Sequence, residues 1–258
     1  MPTAQNGETE LNWMAVGEGP ALLLIHGGGG NAAVWWQQIE GLSDSFKVVA
    51  YDHRNFGRSS SQIGQFREED FVGDALAVMD AAGISEATVV AQSLGGWTGL
   101  RLALAAPKRV TNLILSCSNA GVDYQPAVDS IYAALEKMDD RGPASIGLGP
   151  KVLVQNPAKV YLYQQIRAFN EDMLQEVGES LNAPSLVLPL ERLAEVKCPV
   201  LYIMGEKDML LPPPILDPIA RAFRDCEVQI IPASGHSPYY EFPSVFNSIV
   251  RDFVNRLS

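Results

Sequence analysis

Short apolar runs recur along the chain, separated by polar or amphipathic stretches. They lie at Ala21–Ile25, Lys47–Tyr51, Thr88–Ala91, Leu113–Ser116, Pro199–Met204 and Val228–Ile231. Each is too short for a helix and is continuous rather than alternating, which suits strands buried on both faces of a parallel sheet. Leu11–Val16, ahead of the first run, reads as an antiparallel edge strand. Between the runs the period lengthens. Phe71, Val72, Ala75, Leu76 and Met79 share one helical face, with Gly83 near its end. Leu94 to Ala106 reads as a second helix, stopped by Pro107, and Phe242 to Leu257 as a third. Strand–helix–strand repetition predicts right-handed crossovers and a doubly wound, mostly parallel α/β sheet.

One region breaks this rhythm. From about Gly121 to Val196 no strand pattern occurs. Val128, Ile131, Tyr132 and Leu135 form one amphipathic stripe, and Leu162, Ile166, Phe169, Met173 and Val177 form another. Gly142, Pro143, Gly147, Gly149 and Pro150 separate them. We read residues 121–196 as a helical cap or lid inserted into a core of residues 1–120 and 197–258. An insertion there covers the carboxyl ends of the strands, where open α/β sheets bind ligands.

Composition narrows the function. The 258 residues are 47% hydrophobic and 19% charged, enough for a large core and unlike a disordered chain. The formal net charge of −11 argues against a nucleic-acid partner. No apolar stretch approaches the roughly 20 residues of a membrane span, and the polar start carries no signal-peptide pattern, so a cytoplasmic protein without a membrane partner is expected. The three cysteines, Cys117, Cys198 and Cys226, form no Cys-x-x-Cys pair, give no support to a metal site, and suit a reducing compartment. Oligomeric state is not legible.

The candidate chemistry begins at Thr88-Val-Val-Ala-Gln-Ser93-Leu-Gly-Gly-Trp97, a strand, a sharp turn and a helix start. A serine there sits in a strained turn, with small residues two before and two after it, its hydroxyl exposed and the next N–H free. The alternative is a serine that merely caps a helix. Here the chain resembles the α/β-hydrolase family, whose nucleophile elbow reads Gly-x-Ser-x-Gly; Ala91 replaces the first glycine. His26-Gly-Gly-Gly-Gly30 is similar to the family's His-Gly motif after the third strand. Asp52-His-Arg-Asn-Phe-Gly-Arg-Ser59 is similar to its turn after the fourth, with Asn55-Phe56 departing from the pattern. The resemblance implies an eight-stranded fold, an acyl-enzyme and no cofactor.

It also implies the roles. Ser93 is the nucleophile, and His236, on the loop before the last helix, is the base. Asp208, three after Gly205, is the acid, with Glu206 as runner-up. The oxyanion hole would use the N–H groups of Gly28 and Leu94, with Gly29 as substitute for Gly28. His26 and His53 are assigned to loop structure. For a small, largely apolar substrate, Trp35, Trp97, Tyr132, Tyr163, Met209 and Tyr239 are candidate contacts, as are Trp36, Phe169 and Leu210, with Asn119 adding one polar contact. An ester or lactone is the expected substrate. Hydrolysis of a carbon–carbon bond in a diketone stays open, although Gly-His-Ser-Pro replaces the Gly-His-Trp of such enzymes. So does a slow-hydrolysing small-molecule receptor.

Overall fold

Eight strands form one sheet in the computed structural model, which describes residues 1–59, 68–170 and 186–257. In chain order they are β1 (Thr3–Asn6), β2 (Thr9–Val16), β3 (Ala21–Ile25), β4 (Lys47–Tyr51), β5 (Ala87–Gln92), β6 (Val110–Ser116), β7 (Val200–Gly205) and β8 (Cys226–Ile231). Across the sheet the order is β1-β2-β4-β3-β5-β6-β7-β8. β2 runs antiparallel to both β1 and β4, and every other neighbouring pair is parallel. Helices α1 (Trp36–Leu42), α2 (Glu68–Ala81) and α3 (Gly95–Ala105) connect the first strands. Among the described residues, four α-helices lie between β6 and β7: α4 (Gln125–Leu135), α5 (Ala144–Gly147), α6 (Pro150–Gln155) and α7 (Pro157–Ala168). Then come α8 (Pro213–Arg221), α9 (Pro238–Glu241) and α10 (Pro243–Leu257).

The inner strands β3 to β7 are largely hydrophobic because both their faces are covered. Leu23 and Ile25 of β3 pack with Ala75, Met79 and Leu100 under α2 and α3. Leu22 and Leu24 pack on the other face with Leu42, Phe246 and Val250 of α1 and α10. β7 divides the same way, Tyr202 and Met204 to the first face, Leu201 and Ile203 to the second. Each such side chain contributes about 1.5–3 kcal/mol by leaving water.

Two expectations need correction. Leu11–Val16 is not the edge: β1 lies outside it, and β2 is an inner strand. The polar run Thr3–Asn6 gave no hydrophobic signal because a short edge strand buries little, here only Ala4. β8 is also not buried on both faces. It forms the opposite edge, with Val228 and Ile230 exposed. Helix α8 was missed because it is rich in proline and carries Pro218 inside it. Met173 and Val177 of the second expected stripe lie outside the described residues. No described helix is long and apolar enough to cross a membrane.

The segment between β6 and β7 is rooted by main-chain pairing. Asp123 N–H donates to Leu188 O at 2.8 Å, and Leu188 N–H donates to Gly121 O at 3.0 Å. At the other layer α3 presses onto the end of β3. A Cβ on Gly95 would fall 2.4 Å from the Ile25 carbonyl oxygen, a main-chain atom that cannot swing aside. Gly95→Ala should therefore lower the unfolding free energy by roughly 1–3 kcal/mol in urea titrations. Gly28→Ala, whose Cβ would meet nothing nearer than 3.9 Å, should cost less. Equal losses would contradict the packing argument.

Candidate active site

β5 ends at Gln92 and α3 begins at Gly95, which leaves two residues to reverse the chain. Ser93 absorbs the reversal with φ at +50°, a left-handed conformation that L side chains rarely adopt. Its N–H donates to Ser116 O at 2.9 Å, and its carbonyl accepts from Gly96 N–H at 2.9 Å and Ser118 Oγ at 2.5 Å. Alanine is tolerated at position 91 because the residue facing it is also small. A Cβ on Gly99 would lie 2.9 Å from the Ala91 methyl.

The two residues expected to join Ser93 reach it from the loops that follow β7 and β8. His236 Nε2 lies 2.9 Å from Ser93 Oγ, and His236 Nδ1 lies 2.8 Å from Asp208 Oδ2. Asp208 is buried, and its Oδ1 accepts from the N–H groups of Leu210 at 2.9 Å and Leu211 at 3.0 Å. That carboxylate selects the tautomer with the proton on Nδ1, so Nε2 is the acceptor that faces the serine. The runner-up acid is elsewhere. Glu206 Oε2 accepts from Ala233 N–H at 2.8 Å on the surface, and this bond, with Lys207 beside it, holds its carboxyl below the usual range.

The glycine run after β3 meets the same turn. A Cβ on Gly27 would lie 2.1 Å from Gln92 Oε1 and 2.9 Å from Ser93 Cβ, so only glycine fits there. Gly28 lies against Leu94, and no hydrogen bond between described residues uses the N–H of either. Gly29 turns the other way. Its φ is +74°, its Cα faces Arg167, and its carbonyl accepts from Asn170 at 3.0 Å. The other two histidines brace the loops. His26 Nδ1 sits 2.8 Å from Gly27 O, and His26 Nε2 accepts from His53 N–H at 3.0 Å. Burial lowers the pKa of both rings, which suits neutral structural imidazoles.

Comparison with known proteins agrees with this architecture. Residues 20–141 match the family model described as the alpha/beta hydrolase fold. The chain is an enzyme of the α/β-hydrolase fold. It is similar, at 28% identity over 100% of its own length and 99% of the relative's, to a protein of Azorhizobium caulinodans named for carbamate hydrolysis, RutD. A pimeloyl-[acyl-carrier protein] methyl ester esterase of Vibrio parahaemolyticus is also 28% identical, over 95% of this chain and 98% of the esterase. Among solved structures, the enol-lactonase from Burkholderia xenovorans superposes with a TM-score of 0.81 at 24% identity, covering 98% of this chain and 100% of the lactonase.

In this α/β-hydrolase-fold enzyme a cavity of about 320 Å³ opens beside Ser93 and His236. Tyr163, Leu210 and Tyr239, all expected there, line it. So do Gln92, Leu135, Met138 and Ile146, which the sequence did not single out. The remaining candidates point elsewhere. Trp35 is fully buried behind the wall, its ring 4.4 Å from that of Tyr239. Trp97 packs toward Phe56, Phe71 and Gly121. Asn119 turns back on its own chain and accepts from Gly121 N–H. Trp36, Tyr132, Phe169 and Met209 face solvent. Helical periodicity could not say which turn of the insertion faces inward, so Tyr132 was chosen where Leu135 belongs.

Two further polar residues were missed, and both hold the histidine loop. Gln92 Nε2 donates to His236 O at 3.0 Å, which ties the turn of β5 to that loop. Glu241, at the end of α9, accepts at Oε1 from Gly235 N–H (2.8 Å) and Ser237 N–H (3.3 Å), and at Oε2 from Gly149 N–H (2.6 Å). A carboxylate that follows a histidine by five residues carries no sequence signal of its own. Cys117 brings its sulfur close to Asp208 and His236, with all three ligand-type atoms within 4.8 Å of one another. Burial, and then the Asp208 charge, push its thiol well above the ordinary value. A metal ligand needs the thiolate, and His236 Nε2 is turned to Ser93, so this group is poorly suited to a metal.

Burial pushes the Glu241 carboxyl from 4.5 up to about 7, against the hydrogen bonds from Gly149, Gly235, Ser237 and Ser234 that hold it down. Because the folded value is the higher one, the folded state binds this proton more tightly. Its stabilising contribution is complete below pH 4.5 and is lost as pH rises through about 7. The melting temperature of the wild type, measured relative to Glu241→Gln, should therefore fall across that window. A difference that stays constant with pH would show that the carboxyl is not perturbed.

Proposed function

We propose that the enzyme is a serine hydrolase that cleaves an ester or lactone of a small, largely apolar substrate through an acyl-enzyme. The observation that carries this reading is the chain of contacts from Ser93 Oγ to His236 Nε2 at 2.9 Å and from His236 Nδ1 to Asp208 Oδ2 at 2.8 Å. Hydrolysis of esters and carbamates by the named relatives supports it.

As the Ser93 hydroxyl attacks the substrate carbonyl, His236 Nε2 takes its proton. The negative charge that develops on the carbonyl oxygen falls between the N–H groups of Gly28 and Leu94. One such donor is typically worth about 3–4 kcal/mol of transition-state stabilisation. The imidazolium is stabilised by Asp208, whose other oxygen accepts from the Leu210 and Leu211 amides. His236 then gives its proton to the leaving alcohol oxygen, the tetrahedral intermediate collapses to the Ser93 ester, and water, activated by the same imidazole, releases the acid. No metal or cofactor is needed for these steps. The segment 121–196 acts as a cap: Leu135, Met138, Ile146 and Tyr163 from it close the cavity and limit water at the serine. The free thiols of Cys117, Cys198 and Cys226 suit the reducing environment of a cytoplasmic enzyme.

A panel of p-nitrophenyl esters and lactones, run beside a fluorophosphonate probe, tests the reading. Multiple turnovers and labelling are expected in the wild type, and Ser93→Ala should lose both while keeping its circular dichroism spectrum. Labelling that survives in Ser93→Ala would refute the nucleophile. A single turnover with a ligand-dependent rise in melting temperature would instead favour a receptor. Asp208→Asn should lower kcat on the order of 10⁴-fold by favouring the wrong histidine tautomer. If Glu206→Gln is the damaging change, the acid has been misassigned.

A further inference from the structure

The cavity carries a charge that acyl transfer does not use. Arg167, in the last turn of α7, reaches the cavity wall. Its guanidinium carbon lies 5.6 Å from the Tyr163 ring centroid, and Nη1 donates to Gly28 O at 2.9 Å. The plane lies flat on Gly29, where a Cβ would fall 2.4 Å from Nη2 and 2.5 Å from the guanidinium carbon. Gly28 O is the only acceptor it reaches among the described residues, and Nε is buried with no partner.

No carboxylate of a described residue stands within ion-pair distance of Arg167, although Arg54, Arg109, Arg141, Arg192, Arg221, Arg251 and Arg256 each have one. No aspartate or glutamate among the described residues lines the cavity either. An acidic chain of net charge −11 has thus placed beside the proposed oxyanion loop a half-buried guanidinium with no counter-charge among the described residues. Removing a cation from water without a counter-charge is unfavourable, and a planar fork of donors matches a carboxylate. We propose that the substrate supplies the missing anion: Arg167 binds a free carboxylate, and the class hydrolysed is monoanionic, such as the half-esters of short dicarboxylic acids. This deepens the serine-hydrolase reading and rests on it for the bond that is cleaved.

Because Arg167 also braces Gly28, loss of total activity in a variant would not distinguish anion binding from loop support. The ratio of two substrates does. At pH 7.5 the wild type should hydrolyse monomethyl glutarate, or its succinate or adipate homologue, with a higher kcat/KM than the matching dimethyl ester. In Arg167→Met that ratio should fall about 10- to 100-fold, the range of a charge-assisted hydrogen bond, and Arg167→Lys should restore part of it. A wild type that prefers the neutral diester overturns the proposal, as does a ratio that Arg167→Met leaves unchanged while both rates fall together.

A second measurement does not depend on turnover. Ser93→Ala should bind glutarate in calorimetry, and the double variant Ser93→Ala, Arg167→Met should bind it at least about tenfold more weakly. Equal binding by the two overturns the anion site. Loss of fluorophosphonate labelling in the wild type, with glutarate binding still dependent on Arg167, would remove the serine chemistry and leave the anion site standing.

Discussion

A single strained residue organises the candidate site. Ser93 holds φ at +50°, and a conformation of that kind costs on the order of 1–3 kcal/mol. It persists because its surroundings leave no alternative. The Ser93 amide and carbonyl are both bonded, to Ser116 and to Gly96 and Ser118. The approaching chains are so close that Gly95 and Gly27 have no room for a Cβ beside Ile25 O and Gln92 Oε1. The same closeness brings the glycine loop after β3 against the serine. Relaxing the turn to an ordinary helix start would swing the hydroxyl away and separate Leu94 from Gly28.

Two buried carboxylates then divide the work of placing the histidine. Asp208 bonds the ring itself at 2.8 Å through Oδ2, while two main-chain donors fix its Oδ1. Glu241 bonds the loop, not the ring, through the amides of Gly235 and Ser237. The pKa perturbation follows geometry. Glu241 gathers its donors in a largely buried place where desolvation still prevails, so its carboxyl moves up to about 7. The same carboxylate reaches Gly149 at 2.6 Å, so the histidine loop and the segment between β6 and β7 share one anchor.

Much of this was legible in the sequence, and the parts that were not share a cause. The inner strands announced themselves because both faces are buried. β1 and β8 did not fit that pattern because an edge strand exposes what an inner one hides, as Val228 and Ile230 do. Ser93 was singled out by the strand, sharp turn and helix start around it, and Asp208 and His236 by the resemblance of their loops to those of the α/β-hydrolase family. Gln92 and Glu241 act through main-chain atoms remote in sequence, His236 O and the Gly149 amide, and local pattern cannot encode such partners. The substrate-contact candidates fared worst. Aromatic residues were favoured for their size, yet Trp35 and Trp97 are packed away from the cavity, where their area is better buried. Leu135 and Met138 do the lining instead.

The helices between β6 and β7 do more than line the cavity. One of them, α7, sends two side chains back to the glycine loop: Arg167 to Gly28 O at 2.9 Å and Asn170, just beyond the helix, to Gly29 O at 3.0 Å. Asn31, at the end of that loop, returns the contact by donating to Ile166 O. The Gly28 and Gly29 carbonyls share their peptide planes with the N–H groups of Gly29 and Gly30, so the position of α7 sets those two planes directly and the Gly28 N–H through the loop that carries it. Substitutions that shift α7 therefore act on the geometry of the proposed oxyanion hole as well as on the shape of the cavity. The shape of the cavity and the position of the glycine loop are thus mechanically joined, because the helix that lines the one also holds the other.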